Sequence, residues 1–273
     1  MAVKLDEAQL VQMLEILQTS YRWIKIVGEV EAALEHRVTD YEFVVDRWPD
    51  CRAMVVRAKG NDVQLKYLEP LVNLYATDEE ALRSLLHNLD WSKGKRFECI
   101  DRRLVPVLSE VMQLYRVPTF FHTDCMLMRV KQDTLKLRPI PEGCTMSSLT
   151  TDQATQVNSE WKLRSGDSSS VVYIEHLITT LPSTCLYNRE GALLGYALTY
   201  HYGCLGVMYV LEEHRGNGYG KVVMSHLALK HLQIKKEAFV MIQLVNPVSI
   251  KMHEAIGFEI IPDTSFDWIF CDD

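Results

Sequence analysis

Between Arg215 and Lys221 the chain reads Arg215-Gly216-Asn217-Gly218-Tyr219-Gly220-Lys221. Glycines at alternate positions let the backbone take positive φ and come close to a ligand. The strand-like run Val207-Met208-Tyr209-Val210-Leu211 precedes the turn, and Val222-Val223-Met224 follows it as the start of a helix. A helix beginning here aims unsatisfied N–H groups and its positive dipole end into the turn. An anion is the natural occupant, and Arg215 and Lys221 add positive charge. Spacing separates the kinds of phosphate loop. A Walker A loop needs Ser or Thr after its Lys, but Val222 stands there. A dinucleotide fingerprint needs a third glycine where the chain has Lys221. What remains is Arg-x-x-Gly-x-Gly: Arg215, Gly218 and Gly220. The plain alternative is a glycine-rich connection that holds no ligand.

The elements that must position this turn form an ordered series. Residues 152–161 and 171–180 read as helices, and 184–187 as a short strand ending in the turn Asn188-Arg189-Glu190-Gly191. Strands are expected at 192–200 and 205–211, then a helix over 218–234. A strand at 238–245, a helix at 248–256 and strands at 258–261 and 268–270 complete the series. Upstream, residues 6–18 and 24–36 carry apolar residues at helical spacing, and 52–57 reads as a strand. A helix over 78–88 is expected with Thr77 as N-cap and Glu80 closing a capping box. Residues 104–115 look helical again. Polar and turn-prone residues at 131–150 mark a junction, so the expected division is 1–135 and 136–273. The fold class is α/β (α+β).

The chain has 273 residues, a net charge of −7 and a hydrophobic share of 48%. That charge gives no global attraction to nucleic acid. Its seven cysteines are widely spaced with no CxxC pair, which argues against a disulfide framework and a structural zinc site. No metal is expected. No signal or transit peptide is seen. The protein is therefore placed in the cytoplasm, with a mitochondrial address left open. The weakly charged stretch 191–211 reads as two strands and a turn, not as a membrane span.

A second pattern follows the glycine turn. From Asn246, a small residue stands three positions on (Ser249), a ring residue seven on (His253) and Gly257-Phe258 eleven on. With both motifs in this order, the chain resembles the GCN5-related N-acetyltransferase superfamily. Val44-Val45-Asp46-Arg47-Trp48-Pro49-Asp50 resembles the N-terminal half of glycine N-acyltransferases. So do Val157-Asn158-Ser159-Glu160-Trp161-Lys162, Ile174-Glu175-His176-Leu177-Ile178, Leu181-Pro182 and Cys185-Leu186. The resemblance covers most of the chain, more tightly after about residue 139, and is closest to glycine N-acyltransferase-like and FR47-like proteins. It implies tandem halves, each a mixed, mostly antiparallel sheet flanked by helices. Residues 1–135 would be the degenerate half, and 136–273 would carry the coenzyme A site.

The resemblance also implies acyl transfer from acyl-CoA or acetyl-CoA, as cosubstrate, to a small-molecule primary amine, an amino acid such as glycine. Pantetheine would run along Met208, Tyr209 and Val210. The pyrophosphate would lie on Arg215, Gly216, Asn217, Gly218, Tyr219, Gly220 and Lys221, with Asn246 and Ser249 on the other side. His253 stands where many relatives place a tyrosine general acid, and an imidazolium can protonate a leaving thiolate. The general base is a departure. Glycine N-acyltransferases place a Glu near the start of the fourth strand, where this chain reads Gly203-Cys204-Leu205, and another common site, five residues before the Asn, is Met241. Glu213, with Glu212 beside it, and His201 are the groups left to consider as base. A non-catalytic acyl-CoA binding or sensing protein is the alternative. No nucleic-acid or membrane partner is expected.

Overall fold

The computed structural model of the chain describes residues 2–59 and 63–271. It divides into two compact units. The first holds the described residues up to Met126 together with those from Pro262 onward, and the second runs from Leu127 to Ile261. This differs from the expected 135/136 division at two places. Residues 127–135 group with the second unit. The last strand, expected to close the second sheet, instead enters the first unit.

In the first unit the strands Val3–Lys4, Tyr41–Val45, Ala53–Ala58 and Leu71–Ala76 pair antiparallel in that order, and Leu71–Ala76 then runs parallel to Lys95–Asp101. Phe266–Cys271 inserts between Lys95–Asp101 and the start of Thr119–Lys131, antiparallel to both. Helices Glu7–Leu17, Ile24–Leu34, Glu79–Leu86 and Val105–Leu114 accompany this sheet. The first is closed by a capping box between Asp6 and Gln9. The third is capped by Asp78, whose carboxylate accepts from Ala81 N at 2.8 Å. The expected Thr77 cap is thus one residue early; Asp78 presents its acceptor from extended backbone, the geometry an N-cap requires.

A charged cluster is buried in this unit. Lys25 Nζ lies 3.2 Å from Glu98 Oε2, and Asn73 Nδ2 donates to Glu29 Oε1. Burial pulls the Lys25 ammonium down, but Glu98 and Glu29 more than offset this and its pKa ends raised. Burial pushes the Glu29 carboxyl up to about 8 against the opposing pull of Lys25.

In the second unit the order is Thr119–Lys131 (its later residues), Glu237–Gln243, Leu205–Val210, Leu193–Thr199, Ser183–Tyr187 and Thr145–Ser147. Leu205–Val210 is parallel to Glu237–Gln243 and antiparallel to Leu193–Thr199, which is antiparallel to Ser183–Tyr187. The stretch 191–211 is thus two paired strands, and among the described residues no helix is long and apolar enough to cross a membrane.

Side-chain parity fixes which helix covers which face. Thr184 donates to Val223 O at 3.0 Å and Thr199 pairs with His231 at 2.8 Å, so helix Tyr219–Leu232 packs on their face. Tyr196, three residues before Thr199 and hence on the opposite face, donates to Val157 O at 3.4 Å in helix Ala154–Glu160. Helix Ser169–Thr180 packs beside Ala154–Glu160, and helix Pro247–Ala255 packs against Tyr219–Leu232.

Candidate coenzyme and acyl-transfer site

Leu205–Val210 does not pair regularly. Leu205 faces Thr199 and Gly206 faces Leu198, but the next pairs are Tyr209 with Tyr196 and Val210 with Gly195. One extra residue is accommodated at Val207-Met208, which is a β-bulge. Val207 takes φ 42, a left-handed conformation for a β-branched residue. Such backbone strain costs about 1–3 kcal/mol and is held by its surroundings. On the other edge the parallel register is Leu205 with Val240. Among the described residues it does not continue to Met208, Tyr209 and Val210, and all three are partly exposed. The strand is therefore open along this edge beyond Leu205, apart from Val210 O, which accepts from Arg215 Nε at 3.2 Å; an extended ligand such as pantetheine requires an open edge of this kind.

Two glycines keep this strand in place. At Gly195 a Cβ would lie 2.9 Å from Tyr209 O. At Gly206 it would lie 2.2 Å from the ring of Tyr200, which stacks on Tyr202 with centroids 5.3 Å apart.

Beyond the strand, Gly216 and Gly218 take φ +85 and +79, and a Cβ on either would meet nothing within 4 Å. Gly218 is the N-cap of helix Tyr219–Leu232, and no side chain caps that end. The amides of Tyr219 and Gly220 therefore have no side-chain cap, while Lys221 N already donates to Gly218 O at 3.0 Å; uncapped amides at the positive end of a helix dipole are an arrangement that binds phosphate oxygens. Gly220 sits over the strand: its Cβ position is 3.6 Å from Val210 Cγ2 and 3.7 Å from Met208 Cε. Asn217 Nδ2 donates to His214 O at 3.1 Å and pins the turn. Arg215 is folded back. Its Nε donates to Val210 O at 3.2 Å, its Nη1 reaches Glu212 Oε1 at 3.1 Å, and its guanidinium lies 5.2 Å from the Tyr209 ring centroid. Tyr219 and Lys221 begin the helix and are partly exposed.

Asn246 and Ser249 open the last helix. Asn246 Oδ1 accepts from Ser249 N at 3.1 Å, so this Asn is an N-cap. Ser249 O accepts from His253 Nδ1 at 2.8 Å. His253 is 3% exposed and meets the Phe258 ring edge-on at 5.1 Å. Burial pushes its imidazole down to about 4, partly opposed by the bond to Ser249. With Nδ1 protonated toward Ser249, Nε2 carries the lone pair, and it is buried without a hydrogen-bond partner. At pH 7 such a ring is protonated in about one molecule in a thousand. The general-acid role expected for His253 runs against this environment.

The candidate bases are scattered. Glu213 lies on the short turn Glu212–His214 past the end of the strand, 66% exposed, 4.0 Å from His214. Glu212 is held by Arg215. His201 is 1% exposed, with Nδ1 2.7 Å from Tyr173 Oη. Cys204 is buried and non-acidic. A carboxylate not considered as base from sequence, Glu160 at the end of helix Ala154–Glu160, is the main cause of a raised Tyr209 pKa. Elsewhere, His122, Asp124 and Asp267 converge to within 4.8 Å in the first unit, but Arg102 already bridges both carboxylates.

A mixed sheet with a bulged, splayed strand running into an uncapped glycine turn is the GCN5-related N-acetyltransferase architecture. Solved structures agree on the fold. A Drosophila protein superposes with a TM-score of 0.84 at 14% identity, covering 99% of this chain and 98% of that one. A tandem GNAT protein from the clavulanic acid biosynthesis pathway gives 0.60 at 16% identity, covering 99% and 98%. Residues 2–182 match the aralkyl acyl-CoA:amino acid N-acyltransferase family and residues 185–269 match FR47-like protein. The chain belongs to the aralkyl acyl-CoA:amino acid N-acyltransferase family. Among curated relatives, glycine N-acyltransferase of Bos taurus is 23% identical over 94% of this chain and 96% of its own length. Glycine N-phenylacetyltransferase of Bos taurus is 24% identical over 83% of each.

Proposed function

We propose that this chain is an N-acyltransferase that moves an acyl group from coenzyme A to the primary amine of a small acceptor, an amino acid such as glycine. The observation that carries the reading is the continuity of the open strand Met208–Val210 with the uncapped helix start at Gly218. The thioester and amine come together at the bulge, and amides freed there can hydrogen-bond a developing oxyanion. Pantetheine pairs with the open main chain. Gly216, Gly218 and the helix amides that follow receive the pyrophosphate, with Arg215 and Lys221 supplying charge, and Asn246 and Ser249 border the coenzyme.

A second reading is an acyl-CoA binding protein that has lost turnover. It is favoured by one observation: no carboxylate stands at Gly203-Cys204-Leu205, near the start of the strand where the resemblance implies a glutamate, and Cys204 there is buried. Thiol release from acetyl-CoA and longer acyl-CoAs, assayed with a panel of amino acids and accompanied by a coenzyme titration, separates the two. Turnover with one acceptor supports the enzyme. Tight coenzyme binding without release of thiol for any acceptor supports the binding protein.

A further inference from the structure

One main-chain oxygen on the open edge of the bulged strand already has a donor. Leu211 N donates to Leu194 O at 3.1 Å, so the main chain of Leu211 faces the neighbouring strand Leu193–Thr199. Successive residues of an antiparallel strand point their N–H and C=O to opposite edges, so those of Val210 face the open side. On that side, among the described residues, the strand pairs at Leu205, opposite Val240. Val210 O accepts instead from Arg215 Nε at 3.2 Å. The chain allows this by turning back at once. His214 N donates to Leu211 O at 2.9 Å and Arg215 N to Glu212 O at 3.2 Å, which returns Arg215 over the strand end. There the guanidinium is held at two further points. Its Nη1 reaches Glu212 Oε1 at 3.1 Å, and its centre lies 5.2 Å from the Tyr209 ring centroid. Both partners of the ion pair are exposed, so the hold is light.

We propose that Arg215 is a latch that makes pairing of the pantetheine arm conditional on the pyrophosphate. The proposal rests on the acyl-CoA reading above. A ligand amide that extends the sheet along Met208–Val210 takes Val210 O as its acceptor, and the Arg215 guanidinium stands on that oxygen. The arm and the arginine therefore compete for one position. Arg215 also opens the glycine turn, where a pyrophosphate offers a guanidinium two anionic oxygens in bidentate geometry. Exchanging one carbonyl and one exposed carboxylate for a phosphate releases Val210 O as the phosphates arrive. A thioester that carries phosphates brings its own key. One that ends at the pantetheine hydroxyl has to displace the arginine without that exchange. The class selected is thus a nucleotide-linked pantetheine thioester, against free pantetheine and short thioesters of the same acyl group.

The test titrates coenzyme A, and pantetheine as the same arm without the phosphates, into wild type, Arg215→Ala and Glu212→Gln. Calorimetry reads the affinities, and thermal unfolding checks that the variants fold. In Arg215→Ala the latch predicts opposite shifts. Pantetheine binds about fivefold tighter, the scale of one net hydrogen bond. Coenzyme A binds about tenfold more weakly, because its phosphates lose a charged partner. Glu212→Gln loosens the latch but keeps the arginine, so pantetheine binds about twofold to threefold tighter, the scale of an exposed ion pair, with no loss for coenzyme A. Weaker coenzyme A binding in Arg215→Ala with no gain for pantetheine overturns the latch and leaves the arginine a phosphate partner only. Loss for both ligands overturns it by making Arg215 a brace of the strand end. A gain for both overturns it as well, because the arginine then blocks the edge without answering to the phosphates. All three leave the acyl-CoA reading standing while wild type binds coenzyme A. A wild type that binds neither ligand overturns that reading together with the latch.

Discussion

Gly257 packs its Cα against the carbonyl oxygen of Thr134 so closely that a Cβ there would lie 1.9 Å from that oxygen. It also takes φ +96. The Gly-Phe pair that marks the family motif is therefore a packing requirement, which seats the end of helix Pro247–Ala255 against the segment entering the second unit. Gly257→Ala is expected to cost more than about 3 kcal/mol, in the upper range of single substitutions. Urea unfolding monitored by circular dichroism measures this; a change under about 1 kcal/mol contradicts the packing.

Gly218 is the opposite case, since its Cβ direction is empty to 4 Å. Gly218→Glu should leave the fold near intact, apart from the strain of φ +79, while placing bulk and negative charge at the helix start. Coenzyme A affinity is expected to fall about 100-fold, close to 2.7 kcal/mol. Isothermal titration against wild type checks this, and an unchanged Kd removes the phosphate role of the turn.

His253 makes stability depend on pH. Its folded pKa of about 4 lies below the ordinary 6.5, so the unfolded chain binds more protons between those values. The contribution is fully present above pH 6.5 and is lost as pH falls toward 4, amounting to about 3 kcal/mol at most. His231, pushed down to about 4 by its own burial, adds in the same direction. Chemical-denaturation midpoints of wild type should drop between pH 7 and 5, and the drop should be smaller in His253→Gln. Equal slopes in the two proteins would count against burial as the cause.

The cluster in the first unit makes contrasting predictions. Lys25→Met leaves Glu98 buried without its cation and is expected to cost about 3–5 kcal/mol. Glu29→Gln removes a carboxyl whose pKa is raised to about 8. A raised carboxyl binds its proton more tightly in the folded chain, so its stability contribution is present below pH 4.5 and declines as pH rises toward 8. The Gln variant should therefore gain on wild type from pH 5 to pH 8.5, read as the difference in urea midpoints.

The order of elements around the site was readable because each is announced by its own residues. The glycines at 216, 218 and 220 and the Asn246 cap act within a few positions of chain. Strands such as Leu71–Ala76, buried at every residue, escaped because they show no alternation to distinguish them from other apolar runs. The bulge was hidden because valine is disfavoured at positive φ, so nothing local at Val207 advertises it. Tyr209 shares a face with Tyr196 only because the bulge shifts the register, which no short window reveals. His253 was legible as a ring in the right place, while its protonation depends on burial that no short window reveals.

The strand Phe266–Cys271 lies between two strands of the first unit although the whole second unit separates it from both in the chain. During synthesis, therefore, the first unit cannot close its sheet as it emerges from the ribosome. Lys95–Asp101 and the start of Thr119–Lys131 must wait, as open edges, until residues beyond Pro262 arrive. The chain is laid down as two units in tandem but can be finished only as one, and a fragment cut at the apparent junction would keep an edge that invites association with other chains.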